Sequence, residues 1–161
     1  MQSANGEPAL VIAAVVVGLV VRQQLRTRPV RRNGSLIAPV VLGLLGVAGI
    51  AFGIASVVKD RPLTALPVVL LVASLAVAAG FGLARARTVQ VWRGPHGEVL
   101  RKGTAATTGL WLVSVGVHLG LGLWIDHAAG TGALGTASLY AYLAFGLGTQ
   151  NLLVRGRAAT L

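Results

Sequence analysis

Apolar residues in this chain do not alternate with polar ones at a strand or surface-helix period; they run on without interruption. Four stretches, Leu36–Val58, Leu63–Ala84, Thr104–Ile125 and Leu134–Val154, contain no acidic or basic side chain. Each has the roughly 20 residues that a helix needs to cross about 30 Å of hydrocarbon. A fifth run, Pro8–Val21, is shorter and reaches spanning length by recruiting Ser3–Glu7 or by extending toward Gln23 and Gln24. Its alternative is a helix lying in the interface. Val11–Val21 is apolar on every face, without a polar stripe, which favours spanning. The pattern therefore predicts an all-α fold, a polytopic transmembrane bundle in one membrane domain. Its five helices are expected over about 8–24, 36–58, 63–84, 104–125 and 134–154.

The segment 85–103 breaks the pattern. Thr88, Gln90 and Trp92 alternate with Val89 and Val91, and Gly94-Pro95-His96-Gly97 separates them from Glu98–Lys102. Alternation on both sides of a Gly/Pro turn predicts a small β-hairpin on the cytoplasmic face. A lone two-stranded hairpin is marginal in water, so it has to lean on helix ends, lipid heads or a partner.

Composition agrees with a membrane protein. Of 161 residues, 55% are hydrophobic and 11% charged, against about 25% charged in soluble domains. There is no Cys, which excludes disulfides, Cys-ligated zinc, iron–sulfur clusters and thiol chemistry. The net charge of +10 sits between the apolar runs. Loop one carries Arg22, Arg26, Arg28, Arg31 and Arg32; loop three carries Arg85, Arg87, Arg93, Arg101 and Lys102; the tail carries Arg155 and Arg157. Placing these inside leaves only Lys59 and Arg61 outside, which by the positive-inside rule predicts an outer N-terminus and an inner C-terminus. No Lys or Arg precedes the first run and Arg22 follows it, the reverse of a signal peptide, so an uncleaved anchor is expected. The basic loops read as contacts to anionic lipid heads or a protein partner, and not to nucleic acid.

The five hydrophobic segments, the Arg28-Pro29-Val30 motif and the basic insert Arg87–Gly103 together resemble a bacterial integral-membrane family. That family includes the CcdC-type proteins, whose name links them to cytochrome c biogenesis. The resemblance implies a small accessory protein. The heavy use of Ala, Gly, Val and Arg points to a GC-rich bacterial genome, hence an inner membrane.

Glycines suggest how the helices meet. Gly43, Gly46, Gly49 and Gly53 share one groove, and Gly116 and Gly120 form a GxxxG pair. Packing within one chain is the plain reading, and a homo-oligomer along the Gly43–Gly53 groove is the alternative. Intramembrane polar groups are few. His118, with Ser114 one turn before it and Tyr140 on the last helix, is the candidate ligand or proton path. Three uses of His118 compete: a satisfied core histidine, a haem or metal ligand, and a path residue. His127 lies nine residues on, about 13 Å away along the helix, so one chain does not supply a bis-His site. No metal site is expected and the cofactor is left unknown. No span holds an acid, and Ser114 with His118 lacks an orienting carboxylate, so enzyme chemistry is not favoured. The expected role is an accessory or assembly protein acting through helix contacts and basic loops. The alternatives are a transporter or channel subunit with His118 on its path, and a haem-binding subunit.

Overall fold

The computed structural model describes residues 18, 21, 22, 24–30, 34–60, 62, 64–129 and 134–161. Most of the first expected helix, together with Arg31 and Arg32, lies outside the described residues; positions 18, 21, 22, 24 and 25 are helical. The elements run β1 (Arg28–Pro29), α1 (Gly34–Asp60), α2 (Ala65–Thr88), β2 (Gln90–Arg93), β3 (Val99–Lys102), α3 (Ala105–Ala129), α4 (Leu134–Ala137) and α5 (Leu139–Ala159).

Three stretches, Leu36–Lys59, Ala65–Thr88 and Ala105–Ala128, are long and apolar enough to cross a membrane. Their large side chains point outward: Leu44 is 69% exposed, Phe52 70% and Leu123 74%. A continuous apolar coat of this kind suits lipid and not water. What turns inward is small. A Cβ at Gly46 would collide with the Ala141 backbone, and one at Gly49 would stand 2.5 Å from the Ala137 carbonyl oxygen. Gly43, Gly46 and Gly49 thus face α4 and α5 of the same chain, the plain reading of that groove. Gly53 is buried and its carbonyl accepts from Ser56 Oγ at 2.7 Å. Gly116 and Gly120 differ, since no atom of the described residues comes within 4 Å of where their Cβ would be. Their GxxxG pair is not used to pack α3 against the described helices.

Among the described residues the structure departs from the expected spans and two-stranded hairpin at three boundaries. The helix expected to stop at Ala84 runs on to Thr88 and takes Arg85 and Arg87 into α2. It ends where Val89 turns extended, with ψ 128°. The stretch 134–154, expected as one span, is divided. Ser138 donates its hydroxyl to the Gly135 carbonyl at 2.6 Å, and the Gly135 amide donates to Asp126 Oδ1 at 2.5 Å, which ties α4 to the end of α3. α5 then carries Gln150, Asn151, Arg155 and Arg157, and it is not among the three apolar stretches. It lies between α1 and α2 and buries Ala141, Tyr142, Ala144, Gly146, Gln150 and Val154. A helix that packs one face on protein can carry polar residues on that face, while Phe145 and Leu152 stay exposed on the other.

The third boundary is at the sheet. β2 and β3 pair antiparallel with Trp92 opposite Leu100, and the turn closes with Gly97 at φ 82°, a conformation open to glycine. A third strand joins them: β1 pairs with β3 through Arg28 opposite Arg101, in the order β1-β3-β2. This added strand covers the free edge of the hairpin, a better answer to its marginal stability than a partner. Val89 and Val91 seat the sheet against Ala86 and Val154, at the junction of α2 and α5.

Candidate functional site

α2 and α3 are antiparallel and meet at one end in a threonine cluster. Thr88 Oγ1 and Thr107 Oγ1 lie 2.9 Å apart, and Thr104 Oγ1 donates to the Thr88 carbonyl at 3.1 Å. Thr104 also caps α3: its hydroxyl accepts the Thr107 amide at 3.2 Å, and Thr107 Oγ1 accepts the Thr104 amide at 3.1 Å. This is a capping box with Thr in the usual Glu position.

Seven residues beyond the threonine contact, about 10 Å along each helix, Ser114 on α3 stands level with Phe81 on α2. Here Tyr142 crosses from α5. Its hydroxyl donates to the Ser114 carbonyl at 2.9 Å. That uses its single proton, so the Ser114 hydroxyl, also 2.9 Å away, is the donor to Tyr142 Oη. The Ser114 proton therefore belongs to Tyr142 and not to His118, which removes the Ser/His pairing from consideration. His118, 2% exposed, stacks on the Tyr142 ring with centroids 4.4 Å apart and planes tilted by 37°. Its Nδ1 has no hydrogen-bond partner among the described residues, and the same holds for Ser74 Oγ and Gln150 Oε1.

Arg85 completes this seam. It is 3% exposed, and its Nε donates to the Phe81 carbonyl at 3.3 Å. Its side chain thus folds back toward the start of α2, as long helical side chains do, and reaches the Ser114–Tyr142 level. A Cβ on Gly146 would stand 2.7 Å from its Nη2, so the guanidinium lies directly on the α5 backbone. From the sheet inward the polar groups run through the threonines, Arg85, Tyr142 with Ser114, and His118 to Ser74.

Tyr140, expected on the path, is 47% exposed and outside the seam. Tyr142 holds the place assigned to it. Arg85, expected as a surface contact, is interior. Tyr142, Ser74 and Gln150 carried no role in the sequence reading. For Ser74 the signal is periodic: Ser74, Ala78, Gly82 and Arg85 recur at helical spacing on α2 as a small and polar face.

The other basic residues gather at the sheet. Arg101 Nη1 donates to Asn151 Oδ1 at 3.0 Å. Arg157 Nη1 donates to the carbonyls of Ala86 at 2.7 Å and Val89 at 3.1 Å. Arg93 donates to the main-chain oxygen of Leu161. Arg22, Arg26, Arg28, Arg87 and Lys102 are exposed. Burial, and then the like charge of Arg28 across the strand pair, push the Arg101 guanidinium below the usual arginine range. Among the described residues no three His, Cys, Asp or Glu side chains converge as a metal site. Tyr142 covers one face of the His118 ring, whereas the two ring nitrogens lie in the plane of the ring, away from that contact.

Comparison with family models, with curated proteins and with solved structures returns no match to this chain.

Proposed function

We propose that this protein is a small multi-pass accessory or assembly protein of a bacterial inner membrane, with its sheet end in the cytoplasm. The sheet would act as a basic docking platform for anionic lipid heads and for acidic segments of another membrane subunit. One observation carries the reading: the basic loops form a seated sheet, tied through Arg101 to α5 and through Arg157 to the foot of β2. A loose loop would lose entropy on binding that this platform has already lost. The charge distribution supports the orientation, and the layout likeness to the CcdC-type family supports the accessory role.

The test is purification in mild detergent of the wild type and of a variant with Arg28, Arg87 and Lys102 changed to Gln. A co-purifying protein or anionic lipid that the variant loses supports the platform. Turnover of a substrate by the purified chain alone, or partner recovery unaffected by the substitutions, rejects it.

The seam favours a second reading, a transporter or channel subunit. Buried polar atoms without partners are rare in packed interiors and mark functional positions in membrane helices. On this reading His118→Ala abolishes flux in liposomes while the protein still assembles. Unchanged flux removes it.

A further inference from the structure

We propose that Arg85 is the receptor for a phosphate group that still bears a hydroxyl, inorganic hydrogen phosphate or a singly protonated phosphate monoester, held at the crossing of α2 and α5. A guanidinium buried in a helix this apolar is costly unless something pairs with it. The chain has four acids, and the three among the described residues are engaged or placed elsewhere. Asp60 ends α1 at the far end of the bundle, Asp126 accepts the Gly135 amide at that same end, and Glu98 accepts the His96 amide on the sheet turn. Of the five guanidinium N–H groups, Nε alone makes a hydrogen bond among the described residues. The planar fork matches an oxyanion in two-point contact.

The seat around it is specific. Gly146 removes the side chain that would otherwise meet Nη2, and a Cβ there would also stand 3.4 Å from the Ala78 carbonyl oxygen. Gln150, one turn along α5, is 5% exposed, and its Oε1 accepts from no described group. An orphan acceptor one turn along α5 from the glycine that seats the donor fork calls for a ligand that accepts and also donates. Hydrogen phosphate does both. Sulfate has the same shape without the proton. A lipid phosphodiester lacks it too, and Arg85 does not face the lipid. This interior site is independent of the sheet platform, where Arg28, Arg87 and Lys102 are exposed.

The experiment is a thermal melt of the purified full chain in maltoside micelles, titrated with sodium phosphate or sodium sulfate at matched ionic strength. The expected result is a saturable rise in midpoint with phosphate and at least about tenfold weaker response to sulfate, the scale of one charge-assisted contact. Gly146→Ala keeps the charge and blocks its seat, and should raise the half-saturating phosphate about tenfold or more. Gln150→Leu should abolish the preference over sulfate, and Arg85→Lys should keep only part of the response. Lys59→Gln, at the opposite end, should change nothing. No saturable response in the wild type overturns the proposal. So does a response equal for both anions and unmoved by Gly146→Ala and Gln150→Leu. Stabilisation by phosphatidylglycerol nanodiscs that inorganic phosphate does not reproduce also overturns it. Gly146→Ala and Gln150→Leu decide the matter even if Arg85 variants do not fold.

Discussion

Tyr142 joins α5 to α3 by hydrogen bonding, and its two parts can be removed separately. Tyr142→Phe deletes the hydroxyl and keeps the ring. In an aqueous core, leaving two buried polar groups behind would cost about 1–3 kcal/mol each. Here the loss is smaller. The Ser114 carbonyl remains inside α3 with its helical partner, and the Ser114 hydroxyl can turn to the Leu110 carbonyl one turn earlier. Interhelical hydrogen bonds in membranes are worth about 0.6 kcal/mol on average and about 1.7 at most, and Tyr142→Phe should fall in that range. Tyr142→Ala also empties the space of a ring that is 2% exposed and removes the face on which His118 lies. Large-to-small aromatic changes cost about 3–5 kcal/mol.

The assay is reversible unfolding in mixed micelles of rising SDS fraction, followed by helical circular dichroism, on the two variants and on Ser114→Ala. The double variant Tyr142→Phe with Ser114→Ala should cost less than the sum of the singles, by about 0.6–1.7 kcal/mol. Equal losses for Tyr142→Phe and Tyr142→Ala would mean that the hydroxyl, and not the ring, holds the helices together. Additive singles would mean that the bond is not formed in the membrane. Either result refutes the reasoning.

Gly46→Ala places a Cβ against the Ala141 backbone and should destabilise by about 1–3 kcal/mol, whereas Gly116→Ala meets open space and should be neutral or stabilising by about 0.5 kcal/mol; the same unfolding assay separates them. Arg157→Gln removes two bonds to the foot of the sheet and should speed amide exchange in β2 several-fold while leaving α1 unchanged, read by hydrogen–deuterium exchange. Single-cysteine labelling at positions 59 and 102 of intact cells should mark the first and spare the second; the opposite result reverses the proposed orientation.

Hydropathy made the lipid-facing surface legible, because three continuous apolar stretches reappear as α1, α2 and α3 with their large side chains outward. The alternation around Val89 and Val91 marked two strands of the sheet for the same local reason. β1 was not legible. Two residues, Arg28 and Pro29, become a strand only because β3 offers them an edge, and such pairing leaves no local periodicity. α5 reads as one more apolar span because its window is free of charge until Arg155, and its inner face is less legible: Gln150 is buried against protein while Phe145 and Leu152 stay exposed.

The seam shows the limit most clearly. An arginine near the end of an apolar run reads as a loop residue, since charge is what bounds a span. Two features overturn this for Arg85. The helix end is set further on, at Thr88 and Val89, and a helical side chain points back along its own axis. The guanidinium is carried inward, and a glycine on α5 receives it. Tyr140 and Tyr142 make the same point by rotation. Two residues on a helix differ by about 200° in direction, so one faces out and the other closes on His118. Composition tells that α5 is polar enough to need an interior. Which of its polar groups meet there depends on where Gly46, Gly49 and Gly82 let the backbones approach, and that is a property of pairs of helices.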